Sequence, residues 1–251
     1  MQPSLIFLFL VLFNGFTSTN TLSVEKSKSP NHLSNSLPSN QNLKANPWIV
    51  LFDGKSTDSW RGYNMNSFPS KSWKVENKEL IITKSTNTTE GQTDLITKNQ
   101  YENFIFEADF KCTAEGNSGI LYHVVEVKGE DSWHNAPEYQ ILDDSYYLKH
   151  GQKDICLTGS NYDMDAPKYK VLKPLGEWNH AKVVVNHKHV EHWLNGKKVV
   201  DYVLESPEWK KKLAASKFNV YPKFGLAKTG YIALQNHGEE VHFKNIRIKV
   251  L

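Results

Sequence analysis

Residues 180–204 read HAKVVVNHKHVEHWLNGKKVVDYVL, and this stretch decides the fold. Apolar and polar residues alternate on both sides of Asn195 and Gly196, and β-branched residues dominate, which is typical of half-buried strands. Asn-Gly is the pair preferred where both central residues of a tight hairpin turn need positive φ. The stretch therefore predicts antiparallel strands joined by a two-residue turn.

The same pattern recurs at short spacing along the chain. Asn77 and Lys78 form a second turn cue, between two alternating segments. The other strand-like segments are each bounded by Gly, Asn or Pro and occupy residues 71–83, 103–112, 118–127, 137–144, 230–238 and 242–251. We found no internal repeat and no second change of composition, so one all-β domain is expected.

Only residues 206–216, SPEWKKKLAAS, predict a helix. Ser206 is a suitable N-cap, Pro207 opens the first turn, and Glu208 places an acidic side chain in that turn. We therefore predict an all-β fold, a two-sheet antiparallel β-sandwich of the jelly-roll kind with one short helix.

Composition excludes one large class of partner. The chain has 251 residues, enough for one sizeable core, with 30 Lys and Arg against 27 Asp and Glu and a formal net charge of +3. There is no basic run that would mark a nucleic-acid interface, so no nucleic-acid partner is expected.

The N-terminal segments predict export. Residues 3–18 are an apolar run followed by small polar residues, which is typical of a secretory signal peptide, predicted over residues 1–22. No basic residue follows Met1, so an uncleaved anchor is the alternative. Residues 23–46 are rich in Ser, Asn, Lys and Pro and are predicted to be a disordered linker. The folded domain is predicted over residues 47–251, secreted or periplasmic, with no membrane span in the mature protein.

The strand in residues 133–144, WHNAPEYQILDD, indicates where chemistry should be sought. Period-two alternation points Tyr139 and Ile141 into the core, and it points Glu138 and Gln140 to an outer, concave face. A carboxylate and an amide on one such face can be simply solvated, or they can belong to a site.

Two further strands offer polar side chains to the same face. In residues 230–238, Ile232 and Leu234 point inward, so Gln235 and His237 point outward. In residues 118–127, alternation places His123 on the face of Gly119 and Leu121, although both faces of that strand are mixed. The polar sides converge if these strands share a sheet.

Six motifs follow one another along the chain. They are LFDGKSTDSWRGY at 51–63, GNSGILYHV at 116–124, EYQILDD at 138–144, GEWNHAKVVV at 176–185, HWLNGKKV at 192–199 and GYIALQNHGEEVHFKNIRI at 230–248. In this order they resemble the motifs of the 3-keto-disaccharide hydrolase domain family, a concanavalin-like jelly roll, and the resemblance covers residues 48–251.

The resemblance implies cleavage of glycosides whose sugar is oxidised at C3. A 3-keto group acidifies the proton at C2, so a base can remove it and the C1 substituent can leave by elimination. Water then adds to the unsaturated sugar. An electrophile must hold the enolate oxygen, and the resemblance implies one divalent metal ion for that role, with no organic cofactor.

The resemblance also implies roles at matching positions. Glu138 is the first candidate for the base or a metal ligand, and His123 is the second metal ligand. His123 and His237 are candidates for acid and base chemistry, and Asp143 is a second carboxylate at the strand end. Gln140 is expected to hydrogen-bond to sugar hydroxyls.

Three more residues are expected to bind the substrate. Gln235 shares the outward face, Tyr162 matches a tyrosine of the family, and Trp133 lies in the loop that leads into Glu138. Trp60 and Trp193 are better read as core or rim aromatics than as platforms for a sugar ring.

Other functions remain open. A concanavalin-like sandwich can be a non-catalytic carbohydrate-binding module, which needs no base with a shifted pKa. A conventional glycosidase needs two carboxylates across the scissile bond, and Glu138 and Asp143 would face opposite sides of a regular strand.

Two further patterns are ambiguous in the sequence. The histidines at 187, 189 and 192 resemble a metal-binding tract, but on a hairpin they need not converge. Cys112 and Cys156 could pair after export, and their separation in sequence leaves that open.

Overall fold

The structure, a computed structural model, describes residues 47–85 and 92–251. The predicted signal peptide and linker lie outside the described residues. The β-strands are β1 Ile49–Phe52, β2 Trp60–Gly62, β3 Trp73–Glu76, β4 Glu79–Ile82, β5 Leu95–Thr97, β6 Phe104–Cys112, β7 Asn117–Val124, β8 Glu138–Leu142, β9 Asn179–Asn186, β10 His189–Leu194, β11 Lys197–Val203, β12 Tyr231–Leu234 and β13 Val241–Val250. The α-helices of the described residues are α1 Asp144–Lys149 and α2 Pro207–Ala215.

The strands form two antiparallel sheets. The eight-stranded sheet has the order β11-β10-β9-β6-β13-β4-β3, with β1 also paired to β13. The five-stranded sheet has the order β2-β5-β12-β7-β8, so β8 lies at its edge. The predicted two-sheet antiparallel sandwich is confirmed.

Both predicted hairpin turns form. Asn195 and Gly196 join β10 to β11 with φ of 48° and 79°, and Asn77 and Lys78 join β3 to β4 with φ of 52° and 63°. Asn-Gly adopts these values at low cost, because Gly has no Cβ and Asn tolerates the left-handed region.

The core lies between the sheets and follows the period of the strands. Along β6 every second residue is buried, so Phe104, Phe106 and Phe110 face the other sheet. Tyr139 and Ile141 of β8 meet them from the five-stranded sheet, as predicted, and both are completely buried. Each such side chain contributes about 1.5–3 kcal/mol when it leaves water.

The predicted helix is present and is joined by an unpredicted one. Ser206 Oγ accepts a hydrogen bond of 3.1 Å from the N–H of Trp209, and Trp209 anchors α2 in the core with 2% exposure. The second helix, α1, buries none of its six residues, so its sequence carries no apolar period that would have revealed it.

The structure also bears on membrane-spanning helices and on the pairing of the two cysteines. Among residues 47–85 and 92–251, no helix has the length and apolar character needed to cross a bilayer. Cys112 and Cys156 are both buried free thiols, so the disulfide left open by the sequence does not form.

Candidate active site

Glu138 opens the edge strand β8 and lies on the outer face of the five-stranded sheet. Its neighbour across the ladder is Leu121 of β7, and only 5% of its surface is exposed. Its Oε1 atom is buried and has no hydrogen-bond partner among the described residues. A buried carboxylate oxygen without a partner is costly to a fold, so this atom requires an explanation in chemistry.

The space for this carboxylate exists because residue 119 is a glycine. A Cβ built on Gly119 would lie 1.9 Å from Glu138 Oε1, far inside van der Waals contact. The Glu138 carboxylate therefore rests directly against the backbone of β7. Any larger residue at position 119 would push the carboxylate off the sheet.

Burial has the largest influence on the pKa of Glu138. It raises the pKa of this carboxyl from its ordinary value of 4.5 to about 7. Lys217 lowers this pKa by attraction, Asp94 raises it by repulsion, and His237 lowers it. A carboxyl with a pKa near 7 is about half ionised at neutral pH, which is the range in which a general base is most effective.

Apolar side chains form the floor beside Glu138. Ile96 of β5, Ala233 of β12 and Leu121 of β7 occupy neighbouring positions across the sheet, and all are completely buried. Trp133 packs against this cluster from the loop before β8. A charge above this floor has little water to solvate it, so electrostatic interactions are stronger here than in solvent.

Asp94 is a second carboxylate on this face, and its position was not predicted from the sequence. Its Oδ1 accepts a hydrogen bond of 2.7 Å from the N–H of Asn236, and its Oδ2 accepts one from Ser132 Oγ. Burial raises the pKa of Asp94 to about 6, although both hydrogen bonds act in the opposite direction. Asp94 therefore also titrates close to neutrality.

A polar cavity of about 270 Å³ opens beside Asp94. Trp133, Gln235 and His237 line it as well, so three residues predicted to belong to the site meet there. His237 Nδ1 lies 3.4 Å from Glu239 Oε2, and this contact raises the pKa of His237 above its usual value. The His237 side chain is 57% exposed, so it can reach a ligand and exchange protons with solvent.

Tyr162 and Lys217 close the other side of Glu138. The N–H of Tyr162 donates to the carbonyl of Glu138 at 3.1 Å, so the Tyr162 loop covers the free edge of β8. The Lys217 ammonium lies 4.4 Å from the centre of the Tyr162 ring and 4.5 Å from that of Trp133. Lys217 was also missed in the sequence, and it places a positive charge near Glu138.

Gln140 lies on the predicted face, but its side-chain nitrogen already hydrogen-bonds to atoms of the protein. Its Nε2 donates to Asn117 Oδ1 at 2.9 Å and to the carbonyl of Ser118 at 3.2 Å, and the residue is 2% exposed. These bonds brace β8 against β7. The Gln140 amide therefore holds the strand that carries Glu138.

His123 does not lie with Glu138, contrary to the alternation predicted for its strand. Its φ is +58°, so regular alternation breaks at this residue. The ring packs edge-on against Phe104 at 5.9 Å, and Nε2 hydrogen-bonds to the carbonyl of Glu102 at 2.8 Å. His123 is buried on the far side of the predicted site.

Asp143 also lies elsewhere, as the N-cap of α1. Its carboxylate accepts hydrogen bonds from Ser145 Oγ at 2.7 Å and from the N–H groups of Tyr146 and Glu115 at 3.1 Å. Burial alone would raise its pKa, but these bonds outweigh burial and lower it. Asp143 therefore stabilises a helix start, and it does not face Glu138.

The donor set around Glu138 does not fit the expected metal ion. Within the described residues, the group of three or more acidic, His or Cys side chains whose ligand atoms lie close together is His189, Glu191 and Asp201, on the eight-stranded sheet. The Lys198 ammonium already lies 3.0 Å from Glu191 Oε1, so that group is neutralised internally. We therefore derive no step through a metal.

The histidines at 189 and 192, left ambiguous by the sequence, lie on opposite faces of β10. His192 points into the core, where it contacts Tyr122 Oη at 3.0 Å and the carbonyl of Gly159 at 3.1 Å. His189 lies on the opposite face, 2.8 Å from Asp201 Oδ1. Successive residues of a strand alternate, so an odd separation sends these two rings to different faces.

Fold and geometry together define a jelly-roll β-sandwich with a buried carboxylate and a polar cavity on the outer face of its smaller sheet. The chain belongs to the family of 3-keto-alpha-glucoside-1,2-lyase-like domains, whose model matches residues 47–249.

Individual relatives agree with this membership. A 3-keto-disaccharide hydrolase of Bacteroides thetaiotaomicron is 36% identical over 235 residues, which are 83% of this chain and 80% of the relative. The crystal structure of a proposed glycosyl hydrolase from Parabacteroides distasonis is 37% identical with a TM-score of 0.74, over 81% of this chain and 94% of that one. A second from the same organism is 29% identical with a TM-score of 0.63, over 82% and 100%.

Proposed function

We propose that this protein is a glycoside-cleaving enzyme that acts on 3-keto-glycosides or 3-keto-disaccharides by elimination followed by hydration. The observation that carries the proposal is the Glu138 carboxylate, which is buried, unpartnered at Oε1 and half ionised near pH 7. Family membership supports the substrate class.

The proposed reaction begins with proton transfer to Glu138. The carboxylate removes the proton at C2, and the C–H electron pair forms a C2–C3 double bond while O3 takes the negative charge. The enolate then restores the C3 carbonyl, forms a C1–C2 double bond and expels the C1 oxygen with its electron pair. Water adds across this double bond, with hydroxyl at C1 and hydrogen at C2, so the net change is hydrolysis.

His237 is suited to protonate the departing oxygen. It lines the polar cavity, and its contact with Glu239 favours the charged imidazolium. Proton donation to a leaving alkoxide contributes typically 10²–10⁴-fold. Gln235 and Trp133 line the same cavity and are proposed to contact the sugar. Tyr162, beside Glu138, is proposed to border the sugar ring.

A second candidate function rests on Asp94. It is another carboxylate with a raised pKa on the same face, as a conventional glycosidase requires. Asp94 lies beside β5, and β5 and β8 are three strand spacings apart, or about 14 Å between backbones. Side chains that reach toward each other from these strands could flank an unoxidised glycosidic bond.

The test compares an oxidised substrate with its parent. Purified full-length chain is incubated with a nitrophenyl 3-keto-glucoside and with the same glucoside unoxidised, in the presence and absence of EDTA. We expect release from the oxidised sugar alone, unchanged by EDTA and reduced at least about 10³-fold in Glu138→Gln. Glu107→Gln, on the outer face of the other sheet, is the matched control and should keep full turnover.

Each other result selects another function. Release from the unoxidised glucoside, lost in Asp94→Asn, would establish the conventional glycosidase. Binding of both sugars with release of neither would leave a carbohydrate-binding module. Loss of release with EDTA would return the metal ion to the mechanism.

The pH dependence gives an independent check. Only the ionised form of Glu138 can accept the proton, so kcat/KM should rise with pH through about 7. Lys217, Asp94 and His237 are the charged groups that influence this carboxyl. A profile that is flat between pH 5 and 9 would remove Glu138 from the role of base.

A further inference from the structure

Lys217 holds an unusual position for a lysine at the surface of a sandwich. It follows α2 and opens a short 3-10 helix, Lys217–Val220, and its backbone N–H donates to Asp163 Oδ2 at 2.7 Å. Its ammonium lies 4.5 Å from the ring centre of Trp133, 4.4 Å from that of Tyr162 and 5.1 Å from that of Phe218. Aromatic faces therefore hold this charge in place.

The ammonium is not neutralised by an anion. Across residues 47–85 and 92–251, no carboxylate oxygen forms an ion pair with Lys217 within 4 Å. Lys198, on the other sheet, shows the contrast, since Glu191 and Asp201 both lie within 3.0 Å of it. A cation held only by aromatic rings keeps its N–H groups available for a negatively charged ligand.

The rings that hold Lys217 also frame Glu138. Trp133 lies in the loop that enters β8, and the N–H of Tyr162 hydrogen-bonds to the Glu138 carbonyl. The ammonium and the Glu138 carboxylate attract each other but do not touch. Both residues therefore contact Tyr162, Lys217 over its ring and Glu138 through its backbone N–H.

We propose that Lys217 is the electrophile of the reaction, and that its ammonium donates a hydrogen bond to O3 of the 3-keto sugar while Glu138 removes the proton at C2. This inference rests on the proposed function. The proton passes from C2 to Glu138, the C–H electron pair becomes the C2–C3 double bond, and O3 gains the negative charge. Lys217 keeps its protons and stabilises that charge.

This assignment explains why a metal-ligand group is not needed beside Glu138. A divalent ion bound to Glu138 would be repelled by the Lys217 ammonium, whereas an enolate oxygen would be attracted by it. The apolar floor of Ile96, Leu121 and Ala233 increases the benefit, because a fixed charge acts more strongly in a water-poor site. Lys217 would then be a catalytic residue in its own right.

The experiment isolates proton removal from bond cleavage. A 3-keto sugar without a leaving group, 1,5-anhydro-3-keto-glucitol, is incubated with full-length chain in D₂O, and exchange at C2 is followed by proton NMR. We expect exchange with the wild type that is insensitive to EDTA, slowed about 10²-fold in Lys217→Met and Lys217→Gln. Lys217→Arg, which keeps the charge, should exchange faster than either neutral variant.

Lys182→Met is the matched control. Lys182 also stands over a tryptophan, with its ammonium 4.0 Å from the ring centre of Trp193, but it lies on the eight-stranded sheet. Its removal should leave exchange at the wild-type rate. Thermal unfolding of each variant ensures that exchange is compared among folded proteins, and Lys217→Gln or Lys217→Arg decides the matter if Lys217→Met does not fold.

Three results would overturn the inference. Wild-type rates in Lys217→Met or Lys217→Gln would show that another group holds O3. Exchange that stops with EDTA and returns with Mn²⁺ would make a metal ion the electrophile. Absence of exchange and of aglycone release in the wild type would instead reject the proposed function, and Lys217 with it.

Discussion

Acidic side chains on the outer face of the eight-stranded sheet differ in their partners from Glu138 and Asp94 on the five-stranded sheet. On the eight-stranded sheet, Arg247 Nη2 lies 2.6 Å from Glu107 Oε2, and His180 Nδ1 lies 2.7 Å from Asp109 Oδ1. Burial alone would raise the pKa of Asp109, but hydrogen bonds with His180 and Asn245 outweigh burial and lower it. Acids on this face are ionised and paired.

On the five-stranded sheet, Arg61 pairs with Glu126, but within the described residues the buried carboxylates of Glu138 and Asp94 have no cationic side chain in contact. Glu138 has a pKa raised to about 7, Asp94 has one raised to about 6, and burial is the first cause of both. The Lys217 ammonium on this face lies over the rings of Trp133 and Tyr162.

The two arrangements differ in their effect on the stability of the fold and in their ability to react. Paired surface charges contribute at most about 1 kcal/mol each and carry out no reaction. Unpaired buried charges lower stability, but they remain free to bind a proton or an oxygen anion. The larger sheet therefore carries acids that are paired, and the smaller sheet carries two buried acids that are not.

Gly119→Ala should have the largest effect on the site around Glu138. The added methyl group would occupy the position of Glu138 Oε1, so the carboxylate must move. Turnover of the 3-keto-glucoside should fall about 10²-fold or more, since a base displaced by about 1 Å loses its alignment. Steady-state kinetics measures this.

Gly116→Ala is the matched control on the same stretch of chain. Its Cβ would lie 2.5 Å from Cys112 Sγ, so it introduces a comparable clash away from Glu138. This variant should lose stability and keep its turnover per folded molecule. Equal turnover losses in both variants would contradict a special role for the space at Gly119.

Glu138→Gln should stabilise the protein at alkaline pH. The pKa of Glu138 is about 7 when folded and about 4.5 when unfolded, so its contribution to stability is fully present below about 4.5 and is lost as pH rises through 7. Glutamine does not titrate, so at pH 8 the variant should be more stable by up to about 3 kcal/mol. Urea unfolding at pH 5 and pH 8 measures the difference.

Asp109→Asn sharpens the contrast because its sign is opposite. The pKa of Asp109 is lowered in the folded state, so the wild type gains stability from it above the ordinary pKa of 3.8 and loses that stability as pH falls. This variant should therefore be less stable than wild type at pH 8. Two variants with the same sign would show that the two faces do not differ.

His237→Asn should produce a smaller effect that depends on the leaving group. Nitrophenolate leaves without protonation, so its release should change little, whereas release of a sugar alcohol should slow about 10²-fold. His180→Asn, on the outer face of the eight-stranded sheet, should change neither rate. Equal slowing with both substrates would place His237 in substrate binding instead of proton donation.

Glu107→Gln should have the smallest effect. Its ion pair with Arg247 is partly exposed to solvent, since 47% of the Arg247 side chain is accessible. The loss of this pair should cost less than about 1 kcal/mol of unfolding free energy. A loss above 2 kcal/mol in urea unfolding would show that the paired face is more important to stability than its exposure suggests.

The sequence predicted the fold because local and global signals agree along most of the chain. Turn residues at Asn77 and Asn195, alternation along the strands and the cap at Ser206 each act within a few residues. Such signals can be read without knowledge of the tertiary structure. The alternation around Glu138 and His237 was likewise sufficient to place both on the outer face.

The remainder of the site depends on tertiary contacts. Asp94 precedes a strand of three residues, and Lys217 follows a helix, so neither belongs to an alternating pattern. Both reach Glu138 only because the sandwich brings distant segments together. His123 failed for a local reason, since its positive φ interrupts the alternation from which its direction was inferred.

The position of β13 has a consequence for how the molecule is made. Val241–Val250 is the latest of the described strands in the sequence, yet it lies inside the larger sheet and pairs with β1, β4 and β6. Without β13, the larger sheet would be divided into the β3–β4 hairpin on one side and strands β6, β9, β10 and β11 on the other. Closure of the larger sheet therefore depends on pairing between segments far apart in sequence, which makes it a late step of folding.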